Sequence, residues 1–279
     1  MSFLRRLVHG AGRFRQIAGA FIRMDYIEEI SYPLGIVMKG AHAFAGVVIW
    51  AFVAQHTGTS GPSVGGDYYT FVVIGLVGMQ VLQGGLNGFS AQIGDMMQRG
   101  RLEMVLVEPI RWRLLPFGLG QWVVIRQVLV AGLMVVFSLL LGARYSLDGL
   151  VLVLVVLLLG IAATFTIGVL SASVKVLSKR SDPVLAIYQI AALVLSGVFY
   201  PVEVLPSALR ALSWLVPHTY VIAALRKTVM VRGELLPGIS GGEAMLLLLA
   251  FCAIAYPISL WLFGRSLEYG RKMGVLSGY

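Results

Sequence analysis

Long apolar blocks alternate with short polar stretches along most of this chain. Six of the blocks approach the roughly 20 residues that an α-helix needs to cross a bilayer, at about 1.5 Å per residue. The pattern therefore predicts an all-α integral membrane protein with six transmembrane helices. We expect the spans at 31–54, 68–92, 116–141, 149–173, 184–200 and 243–264.

The first 30 residues follow a different pattern. Apolar residues recur at helical spacing between Leu4 and Ile22, while Arg5, Arg13 and Arg23 lie on the other side of the helix. This arrangement is typical of an amphipathic helix that lies in the headgroup layer. The alternative is a helix that packs on other helices of the same protein. We predict an interfacial N-terminal helix over 1–30.

Composition and charge support a membrane protein. Hydrophobic residues make up 58% of the chain and charged residues 13%, with a formal net charge of +9. The basic residues flank the spans, so the positive-inside bias and anionic membrane lipids account for the charge better than nucleic acid does. The single cysteine, Cys252, excludes a disulfide within the chain.

The positions of Lys and Arg predict the orientation. Most of them fall in the segments that share one side with both ends of the chain, whereas the loop at 56–67 has none. Basic residues accumulate in cytoplasmic loops. Both termini should therefore be cytoplasmic.

Chemistry for catalysis or ion coupling is sparse. No carboxylate falls at the centre of a predicted span, the four histidines are scattered, and no Walker-type phosphate loop is present. We therefore predict no catalytic residue, no metal site and no nucleotide site in this chain. The constellations left for a membrane enzyme are Asp25 with Glu28 and Glu29, or His218 with Glu203.

Two cations lie inside predicted spans. Lys39 is followed one turn later by His42, and Arg126 lies about three turns into the third span. One interpretation is that both side chains reach toward the interface or pair with neighbouring helices. The other is a cationic lining for a substrate path, which suits an anionic lipid or glycan.

The segment 93–115 is predicted to be a cytoplasmic loop. Met96, Met97, Leu102 and two later apolar residues can share one side of a short helix, which Pro109 ends. Such a helix is either a plain connector or a surface that docks into a groove on a partner.

The segment after the fifth span, 201–232, predicts a re-entrant hairpin of helices. Pro201 ends the span, and Leu205, Leu209, Leu212 and Leu215 form the apolar side of a first short helix. Pro217 turns the chain into a second helix. We expect Arg226, Lys227 and Arg232 to point outward at headgroup level. Irregular backbone at this depth must be surrounded by protein or a water-filled cavity.

These two segments resemble the corresponding parts of type-2 ABC exporter permeases. Gly100, Leu102, Glu103 and Pro109 match the family's cytoplasmic loop, with Arg101 where a small polar residue is expected. The family's pattern after span five is matched by Gly197, Pro201, Leu205, Pro206, Leu209, Leu212, Pro217 and Arg226.

The resemblance implies a single permease domain over 1–279, in a bacterial inner (plasma) membrane. It implies a homodimer, or a pair with a related permease, and two copies of a separate ABC ATPase that binds ATP and Mg. The residues expected to couple to the ATPase are Gly100, Arg101, Leu102, Glu103, Pro109, Lys179 and Arg180. The extracellular gate is expected at Gly197, Pro201, Glu203, Pro206, Leu209, Leu212 and Pro217. The substrate path is expected at Lys39, His42, Arg126, Tyr188 and Phe199.

The apolar spans favour an amphiphilic or hydrophobic substrate, such as a drug, a lipid or a lipid-linked glycan. A polysaccharide export permease, an ion-coupled carrier and a lipid-modifying membrane enzyme are the alternatives. The carrier is disfavoured by the missing buried carboxylates, and the enzyme by its thin set of candidate residues.

Overall fold

The computed structural model describes residues 19–20, 22–57, 67–102, 115–178, 182–231 and 239–272. Within those ranges the chain is helical apart from turns and an isolated bridge between Tyr145 and Met230, so the predicted all-α class is confirmed. The helices are α1 (22–30), α2 (Pro33–Thr57), α3 (Tyr68–Gln98), α4 (Leu115–Gly118), α5 (Gln121–Leu140), α6 (Leu150–Ser178), α7 (Pro183–Leu195), α8 (Ser207–Ser213), α9 (Pro217–Val229) and α10 (Gly241–Lys272).

Five of the described helices are long and apolar enough to cross a membrane: α2, α3, α5, α6 and α10. The pair α8 and α9 passes the same test together, but the two helices meet at 88°. Helix α7 is apolar and has 13 residues, fewer than the roughly 20 that a straight span needs.

Helix α3 is the centre of the bundle, and α5, α6 and α9 pack around it. Its glycines allow the backbones to approach closely: a Cβ atom on Gly85 would lie 2.4 Å from Thr164 Oγ1 and 2.5 Å from the carbonyl oxygen of Ile161. Small residues at such interfaces are a common way to pack helices in membranes, where van der Waals contact drives association.

Contacts along α3 define the two ends of the bundle. Near the C-terminus of α3, Gln92 donates a hydrogen bond to Asp25 of α1. Near its N-terminus, the carbonyl oxygen of Phe71 accepts one from Arg226 of α9. We call these the α1 end and the α9 end.

Two predicted spans are broken or shortened in the structure, whereas α3, α6 and α10 extend past the predicted ends at 92, 173 and 264. The span predicted at 116–141 is broken, because Gly120 adopts φ +81° where its Cα approaches the backbone of Gly88 on α3. The span predicted at 184–200 ends at Leu195, because Gly197 adopts φ +71° and turns the chain before Pro201.

The bent pair also corrects two expectations. Helix α8 covers Ser207–Ser213, so Leu205 and Leu215 lie outside it. Arg226 was expected to point outward, but it is only 5% exposed. Its guanidinium turns inward because carbonyl oxygens at the C-terminal side of α7 and the start of α3 provide acceptors there.

Candidate functional site

At the α1 end, three side chains converge on the carboxylate of Glu29. Lys39 of α2 and Trp122 of α5 donate hydrogen bonds to its two oxygens, and Arg126 Nη1 lies 3.4 Å from Oε2. Trp122 and Arg126 are four residues apart on α5 and therefore share one face of that helix. The two cations predicted for the substrate path are thus brought together by a carboxylate from α1.

These groups line an open cleft of about 260 Å³ between α1, α2, α3 and α5. Asp25 accepts from Gln92 at 2.8 Å, and Glu28 pairs with Arg99 at 3.1 Å. The residues lining the cleft are Asp25, Glu28, Glu29, Tyr32, Gly35, Lys39, Gln92, Trp122, Val123 and Arg126.

The carboxylates of the cleft differ in proton affinity. Burial alone would raise the pKa of Glu29, but the hydrogen bonds from Lys39 and Trp122 and the charge of Arg126 outweigh it, so this pKa is lowered. Burial raises the pKa of Asp25 above its ordinary value, since the Gln92 hydrogen bond only partly offsets the lost solvation.

A polar stripe runs along the middle of α3. Gln80, Gln83 and Asn87 follow one another at spacings of three and four residues, so they lie on one face. Gln80 Nε2 donates a hydrogen bond to Gln127 Oε1 of α5 at 2.8 Å, and Gln189 of α7 donates to Asn87 Oδ1 at 3.2 Å. All of these amides are only partly buried.

A second polar network ties α7 to the bundle at the α1 end. The carboxylate of Asp182, the N-cap of α7, accepts 2.6 Å hydrogen bonds from Ser90 of α3 and Ser171 of α6. Lys175 Nζ lies 3.4 Å away. Burial would raise the pKa of Asp182, but the hydrogen bonds and the Lys175 charge lower it overall.

At the α9 end, the buried guanidinium of Arg226 bonds three backbone carbonyls. It donates to Phe71 at 3.1 Å and to Gly197 and Val198 at 2.7 Å each, and it lies 3.4 Å from the centroid of the Phe71 ring. One side chain therefore joins α9, the start of α3 and the turn that follows α7.

Between the two ends, Tyr188 of α7 contacts His218 at the start of α9. The Tyr188 hydroxyl and His218 Nδ1 are 2.9 Å apart, and the imidazole is fully buried. Within the described ranges, Nε2 of His218 has no hydrogen-bond partner. The contact links α7 to the bent pair, and Glu203, the predicted partner of His218 in an enzyme site, is instead exposed in a 3₁₀ turn.

The structure does not bring the predicted path residues to one place. Lys39 and Arg126 lie in the cleft at the α1 end, and His42 is exposed on α2. Phe199 lies toward the α9 end, where its ring stacks on Trp50 at a centroid distance of 4.8 Å.

The predicted gate residues surround the bent pair. Pro201 and Pro206 precede the 3₁₀ turn (Val202–Val204) and α8, and Pro217 is the first residue of α9. Arg210 holds α8 against that turn by donating to the carbonyl oxygens of Glu203 and Leu205. Leu209 and Leu212 are partly exposed, so this side of α8 is open to lipid or to another chain.

The predicted coupling residues divide into two sets. Gly100 adopts φ +65° and Arg101 is exposed, whereas Leu102 is fully buried beside Met97 in the core of the α1 end. Leu102 is therefore an anchor within this chain and does not offer its side chain to a partner. Glu103, Pro109, Lys179 and Arg180 lie outside the described residues.

The stripe on α3, the Asp182 network and the role of Glu29 were not predicted from the sequence. The stripe had a readable signal, because amides at 80, 83 and 87 share a helical face inside an apolar block. The contacts of Glu29 and Asp182 had none, since several partners come from distant parts of the chain: Trp122 and Arg126 lie 93 and 97 residues from Glu29, and Ser90 lies 92 residues from Asp182.

Fold and sites together define a multi-pass helical membrane protein with polar contacts within its bundle and a bent helix pair at one end. A comparison with family models matches residues 31–230 to the ABC-2 type transporter membrane domain. This match covers most of the chain, so the chain belongs to the ABC-2 type transporter family and is the permease component of an ABC transporter. The comparison with curated proteins found no match.

Proposed function

We propose that this chain is the transmembrane subunit of an ATP-driven exporter that moves an amphiphilic or hydrophobic substrate outward by alternating access. The observation that carries the proposal is the partly buried polar stripe of Gln80, Gln83 and Asn87, with Gln189 beside it. Amides at membrane depth are costly against lipid, so the stripe is best explained by a water-lined or protein-lined path.

A pair of permeases would provide that path. Helix α7 carries Gln189 beside the stripe, yet among its residues only Ala192 is buried, and Ile187 and Ile190 are highly exposed. A symmetric dimer that covers these faces would enclose the stripe between the two copies. A homodimer is the simplest form of this arrangement, and a related permease would serve equally.

Coupling would begin where α3 ends. Arg101 is exposed after the turn at Gly100, and the adjacent Leu102 is anchored in the core. Force applied at this turn would therefore pass into α3. The Asp182 network would carry the movement on to α7, because Ser90 of α3 bonds the N-cap of α7 directly.

ATP and Mg would be bound by two copies of a separate ABC ATPase. With that partner on the α1 side, the α1 end would face the cytoplasm of a bacterial inner membrane, and both termini would lie on that side. The bent pair of α8 and α9 would then form the outer gate, with the Tyr188–His218 contact linking its movement to α7.

The first test is affinity purification of the tagged chain in mild detergent, followed by mass spectrometry and an ATPase assay. An ABC ATPase should co-purify, and Arg101→Glu should reduce its recovery. Recovery of the chain alone, without ATP hydrolysis in any condition, would contradict the proposed coupling.

The path is tested in proteoliposomes of the purified complex with an NBD-labelled phospholipid as the probe. ATP should decrease the fraction of the label in the outer leaflet of the liposome, which is the fraction that added dithionite reduces. Asn87→Leu and Gln189→Leu should abolish this decrease. Gln55→Leu, at an exposed position near the end of α2, is the matched control. ATP-dependent movement that is unchanged in both path variants would remove the stripe from the path.

A further inference from the structure

Arg126 is under-satisfied for a cation inside the bundle. A guanidinium has five N–H donors. In the part of the chain that the structure describes, its one ion pair or hydrogen bond is the 3.4 Å contact with Glu29, whose carboxylate also accepts from Lys39 and Trp122. Arg126 lines the cleft, and phosphate is one of the two groups, with carboxylate, that a guanidinium binds bidentately.

The other side of the cleft has the opposite character. Asp25 accepts a hydrogen bond from the neutral amide of Gln92, and among the described residues no cation lies within ion-pair distance of it. Glu28 lies one turn away on α1. This side therefore favours a cation, such as a primary ammonium group.

The cleft contains charges of both signs. Three carboxylates and two cations line it, and Arg99 beside it pairs with both Glu28 and Asp95. A ligand with a single charge would be opposed by the groups of like sign on one side of the cleft. A net-neutral ligand that carries both signs matches both sides of the cleft.

The surroundings indicate an amphiphile. The cleft of about 260 Å³ is at the small end for binding sites and suits a headgroup better than a whole lipid. Leu34, Val37 and Ile125, on the helices that border it, are exposed apolar residues against which acyl chains can lie. The aromatic rings of Trp122 and Tyr32 lie at the polar part, as expected for an interface.

We propose that this cleft binds the zwitterionic headgroup of an amphiphile, with its phosphate at Arg126 and Lys39 and its ammonium group at Asp25 and Glu28. The site would admit an aminophospholipid-like substrate laterally from the leaflet at the α1 end. This assignment rests on the export function proposed above and narrows its substrate class.

The test is native mass spectrometry of the full chain in detergent with three short-chain probes: phosphatidylethanolamine, phosphatidylglycerol and an alkylamine. Phosphatidylethanolamine should bind best. Arg126→Gln and Asp25→Asn should each weaken it about tenfold, as expected for a lost hydrogen bond to a charged group. Arg144→Gln and Asp148→Asn, exposed positions at the other end of the bundle, are the matched controls and should leave binding unchanged.

The three probes separate the alternatives. If phosphatidylglycerol binds best and only Arg126→Gln weakens its binding, the site selects anions and the proposal is overturned. If the alkylamine binds best and only Asp25→Asn weakens its binding, the site selects cations and the proposal is likewise overturned. Glycerophosphoethanolamine, which has the headgroup without acyl chains, distinguishes a lipid from a soluble ligand. It should compete only weakly; competition as strong as that of the lipid would assign a soluble substrate.

A second measurement uses the unmodified chain, so its result does not depend on whether a variant folds. Phosphatidylethanolamine with a photoreactive headgroup should label peptides from α1 and from the start of α5 in the unmodified chain. Labelling confined to other helices would overturn the site. Co-purification of the ATPase and the effect of Asn87→Leu test the export function, whereas the binding and labelling experiments test the headgroup site. Failure of either proposal can therefore be told apart from failure of the other.

Discussion

Arg226 Nη2 and the carbonyl oxygen of Val198 lie 2.7 Å apart in the interior, although 28 residues separate them in the chain. The bond ties α9 to the turn that follows α7. Because the same guanidinium also bonds Gly197 and Phe71, it fixes the bent pair to the two helices beside it.

We expect Arg226→Met to destabilise the protein strongly. The variant leaves three buried carbonyl oxygens without this donor. Each one that water cannot reach should lower the free energy of unfolding by about 1–3 kcal/mol. Arg226→Lys should recover part of the loss, since an ammonium group cannot span all three acceptors. Thermal unfolding of the detergent-solubilised chain measures the effect.

Arg144→Met is the control for this prediction, because Arg144 is an exposed arginine at the same end of the bundle. Equal unfolding temperatures for the two methionine variants would show that Arg226 is not a structural link.

The sequence predicted the helical class and most of the helices, because apolar block length and proline position are local properties. It did not predict the burial of Arg226, whose acceptors come from segments at 71 and 197–198. The break at Gly120 was missed for a related reason: it depends on the approach of Gly88 from another helix.

Site prediction was limited by the same difference between local and distant contacts. Lys39 and Arg126 were recognisable as cations in apolar blocks, and the structure brings both to the cleft. The group that joins them, Glu29, lies in a run of carboxylates at the end of α1, and nothing in its local sequence marks it as their partner. Leu102 looked like part of a docking face, but distant helices bury it.

We expect Asp182→Asn to lower the free energy of unfolding at neutral pH and to reduce its change with pH in the acidic range. The folded-state pKa of Asp182 is lowered, so the stability from its carboxylate is present above the ordinary value near pH 4 and is lost as the pH falls through the lowered pKa. At neutral pH the loss should be roughly 1–3 kcal/mol, from weakened bonds to Ser90 and Ser171.

Unfolding curves between about pH 2 and pH 7 test this titration. Asp148→Asn is the control, since that carboxylate is exposed and, among the described residues, bonds only to nearby Ser146. If Asp182→Asn leaves the dependence of stability on pH in the acidic range unchanged, other groups cause that dependence.

Neutralising Glu29 should cost more stability than neutralising its neighbour Glu28. Glu29→Gln removes the charge that Lys39, Trp122 and Arg126 share, and it leaves two cations facing each other. Glu28→Gln removes an exposed pair with Arg99, a kind of contact that contributes at most about 1 kcal/mol. The two variants differ by one position on one helix, so a comparison of their unfolding temperatures in low salt isolates the shared contact. Equal effects would mean that the cleft does not depend on Glu29.

Close packing of α3 on α6 gives the last prediction. A Cβ atom on Gly85 would lie 2.4–2.5 Å from atoms of Thr164 and Ile161, one of them a backbone oxygen that cannot turn aside. Gly85→Ala should therefore push the two helices apart and destabilise the protein by about 1–3 kcal/mol. Gly132→Ala on α5 introduces the same methyl group where nothing lies within 4 Å, and it should be neutral or slightly stabilising because alanine is the better helix former. Since the stripe on α3 and the partners of Asp182 are held in place by this helix contact, Gly85→Ala should also lower export in the NBD-phospholipid assay. Export at the parental rate, together with an unchanged unfolding temperature, would show that α3 and α6 can separate without affecting either property.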